Sequence, residues 1–223
     1  MTTKLISVEG AVIKIELTIE LSETMLESEV KIQEKLNEAG RIASKEAMKQ
    51  QDTEGSAIEI SGKKWRTKGE QPKAYQTPYG EVVVERHVYQ KAGGGKTYCP
   101  MERNARIIVT STPMFAKHIS SKMCYGAGAE VQRDLLDNQG RGVALSYIQR
   151  LSKAVGSIVQ AQEESENYEP PAMDCKVSTV GIGLDGICML MCEQEWREAM
   201  VGTISLYDAE GERQHTIYLG ATP

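Results

Sequence analysis

VSTVGIGLDGICMLM, residues 177–191, is the stretch on which the architecture of this chain turns. It is apolar on both faces, as a strand at the centre of a sheet would be, and it carries one carboxylate, Asp185. A carboxylate buried in a strand is costly, so it must protonate, find a partner or hold a metal ion. The same letters admit a second reading. Asp185-Gly186 is also a type I′ turn pair, which would fold the stretch into a hairpin with VSTVGIGL and ICMLM as its arms, and spacing alone favours the turn. Downstream, EWREAMVGTISLYD and RQHTIYLGATP are strand-like and are joined by Asp208, Ala209, Glu210 and Gly211. A strand meander therefore opens a domain over residues 176–223, behind a linker at 163–175 where EESE and YEPP break the pattern.

Upstream the periodicity changes twice. Ile13, Ile15, Leu17, Ile19 and Leu21 alternate with polar residues, the period of a half-buried strand. Ser22 is the expected cap of a long helix running to about Gln51, with Leu26, Val30, Leu36, Ala39, Ala43 and Ala47 along its apolar stripe. These residues, 1–60, form a strand plus a helix suited to self-association. Residues 61–111 form a basic hairpin region: Lys63, Lys64, Arg66 and Lys68 lead into KAYQTPYGEVVVERHVYQ, with Pro78-Tyr79-Gly80 as its turn. GGGK follows, but without P-loop spacing, and it reads as a plain loop.

Residues 112–162 are helical. TPMFAKHISSKMC and AEVQRDLLDNQ are short amphipathic helices separated by Gly126 and Gly128; NQGRGVAL is a turn; Ser146 then offers an N-cap to YIQRLSKAVGSIVQAQ, whose buried face is Ile148, Leu151, Val155 and Ile158. A helix, a short glycine-containing turn and a second helix with polar and basic residues near its start make a helix-turn-helix plan, in which the second helix enters the major groove. On that plan Arg141, Arg150 and Lys153 supply phosphate contacts, Tyr147 and Gln149 lie nearest the bases, and Ser146 belongs to the same DNA-binding set. A helical hairpin used only for packing fits the same pattern.

Charge bears on that choice. The net charge of -5 hides an asymmetry: residues 1–60 hold seven Lys and Arg against twelve Asp and Glu, residues 61–153 hold sixteen against seven, and residues 154–223 hold three against twelve. A basic middle between acidic ends suits a polyanion partner. Five scattered cysteines, Cys99, Cys124, Cys175, Cys188 and Cys192, show neither CxxC pairs nor a disulfide framework and read as buried thiols. No stretch has a signal peptide's apolar block or a membrane span's length, so the expectation is a soluble, cytoplasmic protein without a membrane partner. The fold class expected is α+β.

Four stretches carry a family likeness: TPYGEVVVERHVYQ, GGGKTYCPMERNARI, LLDNQGRGVALSYIQRLSKAVG and, most closely, the residues from Thr179 onward. Together they resemble the ISKra-type insertion-sequence transposases. The resemblance implies that residues 176–223 open a ribonuclease-H-like catalytic domain, with Asp185 as its first catalytic aspartate and metal ligand. It implies DNA transposition by a DDE mechanism, in which three carboxylates hold two Mg²⁺ or Mn²⁺ ions during cleavage and strand transfer at insertion-sequence ends. The second and third carboxylates have no counterpart before Pro223, and Glu193, Glu195, Glu198 and Asp208 read as surface groups. The expectation is therefore three strands of an incomplete catalytic sheet and a chain that is catalytically silent by itself. Two other classes stay open on the residues: a non-catalytic DNA-binding remnant or repressor of transposition, and a structural protein that forms homo-oligomers through the long helix.

Overall fold

The computed structural model describes residues 2–165, 168–173, 175–190 and 196–221. The architecture is α+β, and the chain divides into two compact units, Met1–Glu166 and Asn167–Pro223.

The first unit begins with a ribbon of two antiparallel strands, β1 (Thr3–Glu9) and β2 (Val12–Leu17). The alternation visible in the sequence continues to Leu21, but the strand stops at Leu17 because its partner starts opposite, at Thr3. Helix α1 (Met25–Lys49) is capped by Thr24, whose Oγ1 accepts the Glu27 N–H at 3.3 Å. Ser22, the expected cap, is held outside the helix: its N–H donates to Ser28 Oγ at 2.9 Å, and Ser28 Oγ lies 3.2 Å from the Ser22 carbonyl. The ribbon lies along the second half of α1, fixed by Thr3 Oγ1 to Glu38 (2.6 Å) and by Gln50 Nε2 to the Gly10 carbonyl (2.8 Å). Met25, Leu26, Val30 and Leu36, on the first half, stay exposed.

Next comes a three-stranded sheet in the order β3 (Ile58–Ile60), β4 (Lys63–Thr77), β5 (Gly80–Lys91). The basic residues Lys63, Lys64, Arg66 and Lys68 belong to β4 itself instead of preceding the hairpin. The β4–β5 turn closes where Thr77 Oγ1 donates to the Gly80 carbonyl (2.7 Å) and accepts from Tyr79 N–H (3.2 Å). Val82 and Val84 alternate with exposed neighbours and are buried with Tyr75, with Met48 of α1, and with Cys99 and Met101 around α2 (Pro100–Asn104). Glu102 gathers the hairpin's inner charges: its Oε1 accepts from Tyr75 OH (2.6 Å) and Lys73 Nζ (2.7 Å), and Arg86 Nε sits 3.4 Å away. Burial works to raise the Glu102 pKa, yet the hydrogen bonds from Lys73 and Tyr75 outweigh it and hold the carboxyl below its ordinary value.

Three helices complete the unit: α3 (Pro113–Met123), α4 (Gly128–Gln139) and α5 (Leu145–Ser165). The chain's single Phe, Phe115, is fully buried among Ile119, Val131, Leu135, Ile148 and Leu151. Gly140 ends α4 in the left-handed conformation at φ 61°, which only a residue without a Cβ adopts cheaply. Helix α5 starts one residue before Ser146. The Ala144 carbonyl accepts its first bond, from Ile148 N–H at 3.1 Å, so Ser146 sits inside the first turn and is not the cap. Val155 is half-buried and Ile158 exposed, so the buried face of α5 ends sooner than its apolar stripe.

The second unit is an antiparallel meander of β6 (Thr179–Leu190), β7 (Trp196–Tyr207) and β8 (Arg213–Ala221). Asp208 makes the β7–β8 turn, with Oδ1 accepting the N–H groups of Glu212 (2.8 Å) and Glu210 (3.1 Å). The hairpin reading of Asp185-Gly186 is overturned: β6 pairs with β7 without a break from Thr179↔Tyr207 to Leu190↔Trp196, passing through Asp185↔Val201. The expectation of a strand buried on both faces also fails. β6 is at the edge of this sheet, Ile182 is 80% exposed and Leu184 74%, and Asp185 is exposed too. Of the described cysteines, Cys99 is buried, Cys175 half-buried, and Cys124 and Cys188 exposed, which corrects the reading of all five as buried thiols; Cys192 lies outside the described residues. Among the described residues no helix is long and apolar enough to cross a membrane.

Two helical glycines separate packing from propensity. A Cβ on Gly40 would come 2.2 Å from the Tyr79 ring, whereas one on Gly156 would meet nothing within 4 Å. We expect Gly40→Ala to lower stability by about 1–3 kcal/mol and Gly156→Ala to raise it by up to about 1 kcal/mol, both read from denaturant midpoints. Glu102 adds a pH signature. A carboxyl whose folded pKa is depressed stabilises above its unfolded pKa, about 4.3, and that share is lost as pH falls through the lower folded value. Glu102→Gln should therefore lose less stability than the parent between neutral pH and about pH 3; equal losses would show that the network makes no linked contribution.

Candidate nucleic-acid interface

The helix that carries the expected DNA-facing residues is held by its own apolar side. Ile148 and Leu151 anchor α5 in the three-helix core, and with 3.6 residues per turn this turns Ser146, Gln149, Arg150 and Lys153 to the opposite side. All four are exposed, and Ser146 and Lys153 each stand three and four residues from the Gln149–Arg150 pair, so they form a single stripe. A Cβ on Gly128 would lie 2.8 Å from Leu145 Cδ1 and 3.9 Å from Gln149 Cγ, so the start of α4 packs against the first turn of α5. The α4–turn–α5 arrangement is thus compact at the end where the stripe begins.

Tyr147 and Arg141 do not join that stripe. Tyr147 is half-buried beside the core, and its hydroxyl accepts from Thr110 Oγ1 at 3.2 Å. Burial raises its pKa. Its ring carries the Arg150 guanidinium at 5.5 Å, so Tyr147 supports a cation. Arg141 is 8% exposed. Its Nη2 donates to Gln76 Oε1 at 2.7 Å and its guanidinium lies 5.1 Å from the Phe115 ring centroid, which removes it from the phosphate-contact role expected for it. Burial lowers its pKa, the direction a desolvated cation takes.

The charges that remain available are fewer than the sequence count implies. Lys122 is paired with Asp134. Among the described residues, Arg150 and Lys153 have no carboxylate within 4.0 Å. Arg133, not singled out from the sequence, is exposed on α4 and lines a groove of about 540 Å³ with Gln132, Leu136 and Val143. Its place on the helix follows from the buried Val131 and Leu135 on either side of it, a periodic signal that was available but carried no functional mark.

Asp185 stands apart, in the second unit. Its Oδ1 accepts the Gly186 N–H at 2.9 Å. Strand register puts it on one face with Ile187, Val201 and Thr203, while Glu198, opposite Cys188, belongs to the other face. Among the described residues no three His, Cys, Asp or Glu converge as a metal would need. A single exposed carboxylate does not fit a two-metal centre, so no reaction step is derived through Mg²⁺ or Mn²⁺. Glu193 and Glu195 lie outside the described residues.

In comparison with known proteins, no protein-family model matches this chain and no curated protein matches it in sequence.

The different environments of the two arginines give a direct check. Arg141→Ala should cost about 1–3 kcal/mol, through lost packing and an abandoned Gln76. Arg150→Ala, on an exposed face, should stay within about 0.5 kcal/mol of the parent. Thermal melts that reverse this order would contradict the structural role of Arg141.

Proposed function

We propose that this chain binds duplex DNA through α5, and that it is the DNA-engaging part of an ISKra-type transposase. The observation that carries the first half is the exposed stripe of Ser146, Gln149, Arg150 and Lys153 on α5, which follows α4 through a short turn, with both of its cations free of carboxylates among the described residues. A B-form major groove is about 12 Å wide and admits one helix. A cation near a phosphate displaces condensed counterions, so Arg150 and Lys153 supply affinity that is independent of sequence. Gln149 has the side-chain amide that pairs with an adenine edge, and Ser146 can donate or accept beside it. Tyr147 acts one step removed, by holding Arg150.

The second half rests on the resemblance. It assigns Asp185 to the first metal-ligand position of a DDE transposase and insertion-sequence ends to the role of bound DNA. The DNA-binding half stands without it, as a DNA-binding module or a repressor of transposition. A structural reading has one observation in its favour: the exposed Met25, Leu26, Val30 and Leu36 on α1 suit association between copies. These readings separate in a salt titration. Arg150→Glu with Lys153→Glu should weaken duplex binding at least tenfold at low salt and make the dependence of log affinity on log salt shallower by roughly two. Unchanged anisotropy titrations for the double variant would sink the assignment of α5, and the absence of any DNA affinity in the parent chain would favour the structural reading.

A further inference from the structure

The hairpin treats its charges in two ways. At its inner end Lys73 and Arg86 are both engaged by Glu102. At its outer end Lys63, Lys64, Arg66, Lys68, Lys91 and Lys96 are all exposed, and among the described residues none has a carboxylate within 4.0 Å. Glu59, opposite Lys64 on β3, is the one acidic residue registered against this end of β4. Six like charges on a few turns of chain repel one another, and a fold that neutralises them farther down the same strands leaves them open here.

The outer end is also stiff. Trp65 pairs with Ile58 on one side and Lys91 on the other; its ring lies 5.9 Å from that of Tyr98 and carries Lys91 Nζ at 5.0 Å. Tyr98 bonds back to Tyr89 through both backbone groups, at 2.8 and 2.9 Å, which ties down the base of the glycine loop that holds Lys96. Gln90 Nε2 secures that loop at the Gly95 carbonyl, 2.7 Å away. Cations on a braced ribbon lose less freedom on meeting a partner than cations on a flexible tail.

We infer that the outer end of the β3–β4–β5 arm is a second DNA contact, a phosphate clamp separate from α5. The inference rests on the reading of this chain as a DNA-binding protein. Duplex DNA is the partner chosen because it presents a negative charge every ~1.7 Å along its axis, a match for cations spread along a strand. An anionic bilayer holds a basic surface most firmly where exposed apolar side chains add to the charge attraction. The arm's large apolar ring, Trp65, is half-buried against Tyr98 and Lys91. The spacing matters too. The three-helix part of the unit joins the hairpin at Gln76, which bonds Arg141, Thr110 and Thr112. Lys64 is twelve positions up the same strand, roughly 40 Å at ~3.3 Å per residue. One turn of B-DNA is about 34 Å, so an arm lying along the duplex would reach a turn beyond the one that α5 enters.

The test uses the full chain with Lys63, Lys64, Arg66 and Lys96 each changed to Gln, and duplexes of about 8 and about 30 base pairs, lengths chosen to span less and more than the arm. On the long duplex we expect at least tenfold weaker binding at low salt and a salt slope shallower by roughly three to four; on the short duplex the variant and parent should agree within about twofold. A folded variant with the parent's affinity and slope on the long duplex overturns the inference. So does an equal loss on both lengths, which would mean one shared footprint, or a loss seen with double-stranded RNA or anionic vesicles but not with DNA. Should the fourfold variant melt early, Lys64→Gln with Lys96→Gln carries the same test with a slope change of about two. An arm variant that fails while Arg150→Glu with Lys153→Glu binds normally would keep the arm and discard α5.

Discussion

The buried guanidinium of Arg141 is where the first unit is joined. The hairpin's inner end and the three helices are separate pieces of sequence with separate cores, one around Tyr75 and Val84 and one around Phe115 and Leu135. Gln76 connects them. Its N–H and carbonyl bond Thr110 and Thr112 at 2.7 and 2.9 Å, and its side-chain oxygen takes the Arg141 donor. A desolvated cation is expensive, and breaking its partner would leave that cost exposed. The position of α5 relative to the hairpin therefore depends on a short polar contact that neither core could make by itself, because apolar packing has no direction.

That contact also explains how the unit sorts its basic residues. Sixteen Lys and Arg between residues 61 and 153 are uniform in composition but not in use. Arg141, Lys73, Arg86 and Lys122 hold elements together through Gln76, Glu102 and Asp134. The outer arm, Arg150 and Lys153 make no ion pair among the described residues, although Lys91 and Arg150 rest on the Trp65 and Tyr147 rings. A charge that makes no ion pair contributes little to folding and repels its neighbours. The electrostatic signal for a polyanion is thus stronger than the net charge of -5 suggests, since the cations that count are those left over after folding.

Much of the fold was legible because it follows local rules. Val82 and Val84 alternate, Pro78-Tyr79-Gly80 turns the chain, and the buried set Phe115, Ile119, Val131 and Leu135 repeats at helical spacing. Errors arose where a choice depended on distant partners. Ser22 and Thr24 are equally good caps by type, and the decision went to Thr24 because Ser28 captures Ser22. Asp185-Gly186 has turn chemistry, but β7 offers an unbroken partner along the whole of β6, and a ladder of bonds outweighs one favourable dipeptide. Arg141 and Tyr147 could not be told from Arg150 and Gln149 by sequence, because burial is set by what folds back on a residue and not by its spacing. The alternation at the start of the chain extends through β1, but its pairing with β2, like the bracing of Trp65 by Tyr98, depends on contact across a loop and carried no readable signal.

The second unit shows why a pattern that is apolar on both faces need not mean burial on both. Strand register puts Val180, Ile182 and Leu184 on one side with Ile204, Leu206, Ile217 and Leu219, and puts Asp185 on the other with glycines, Thr203 and Ser205. The sheet therefore has an apolar side and a mixed, small-residue side, and Asp185 belongs to the latter. A carboxylate there is exposed to water, so burial does not require a partner for it. Any role for Asp185 must come from what is brought to that side of the sheet, where the Tyr207 ring and the Thr203 hydroxyl already occupy the space that side chains at Gly181 and Gly183 would take.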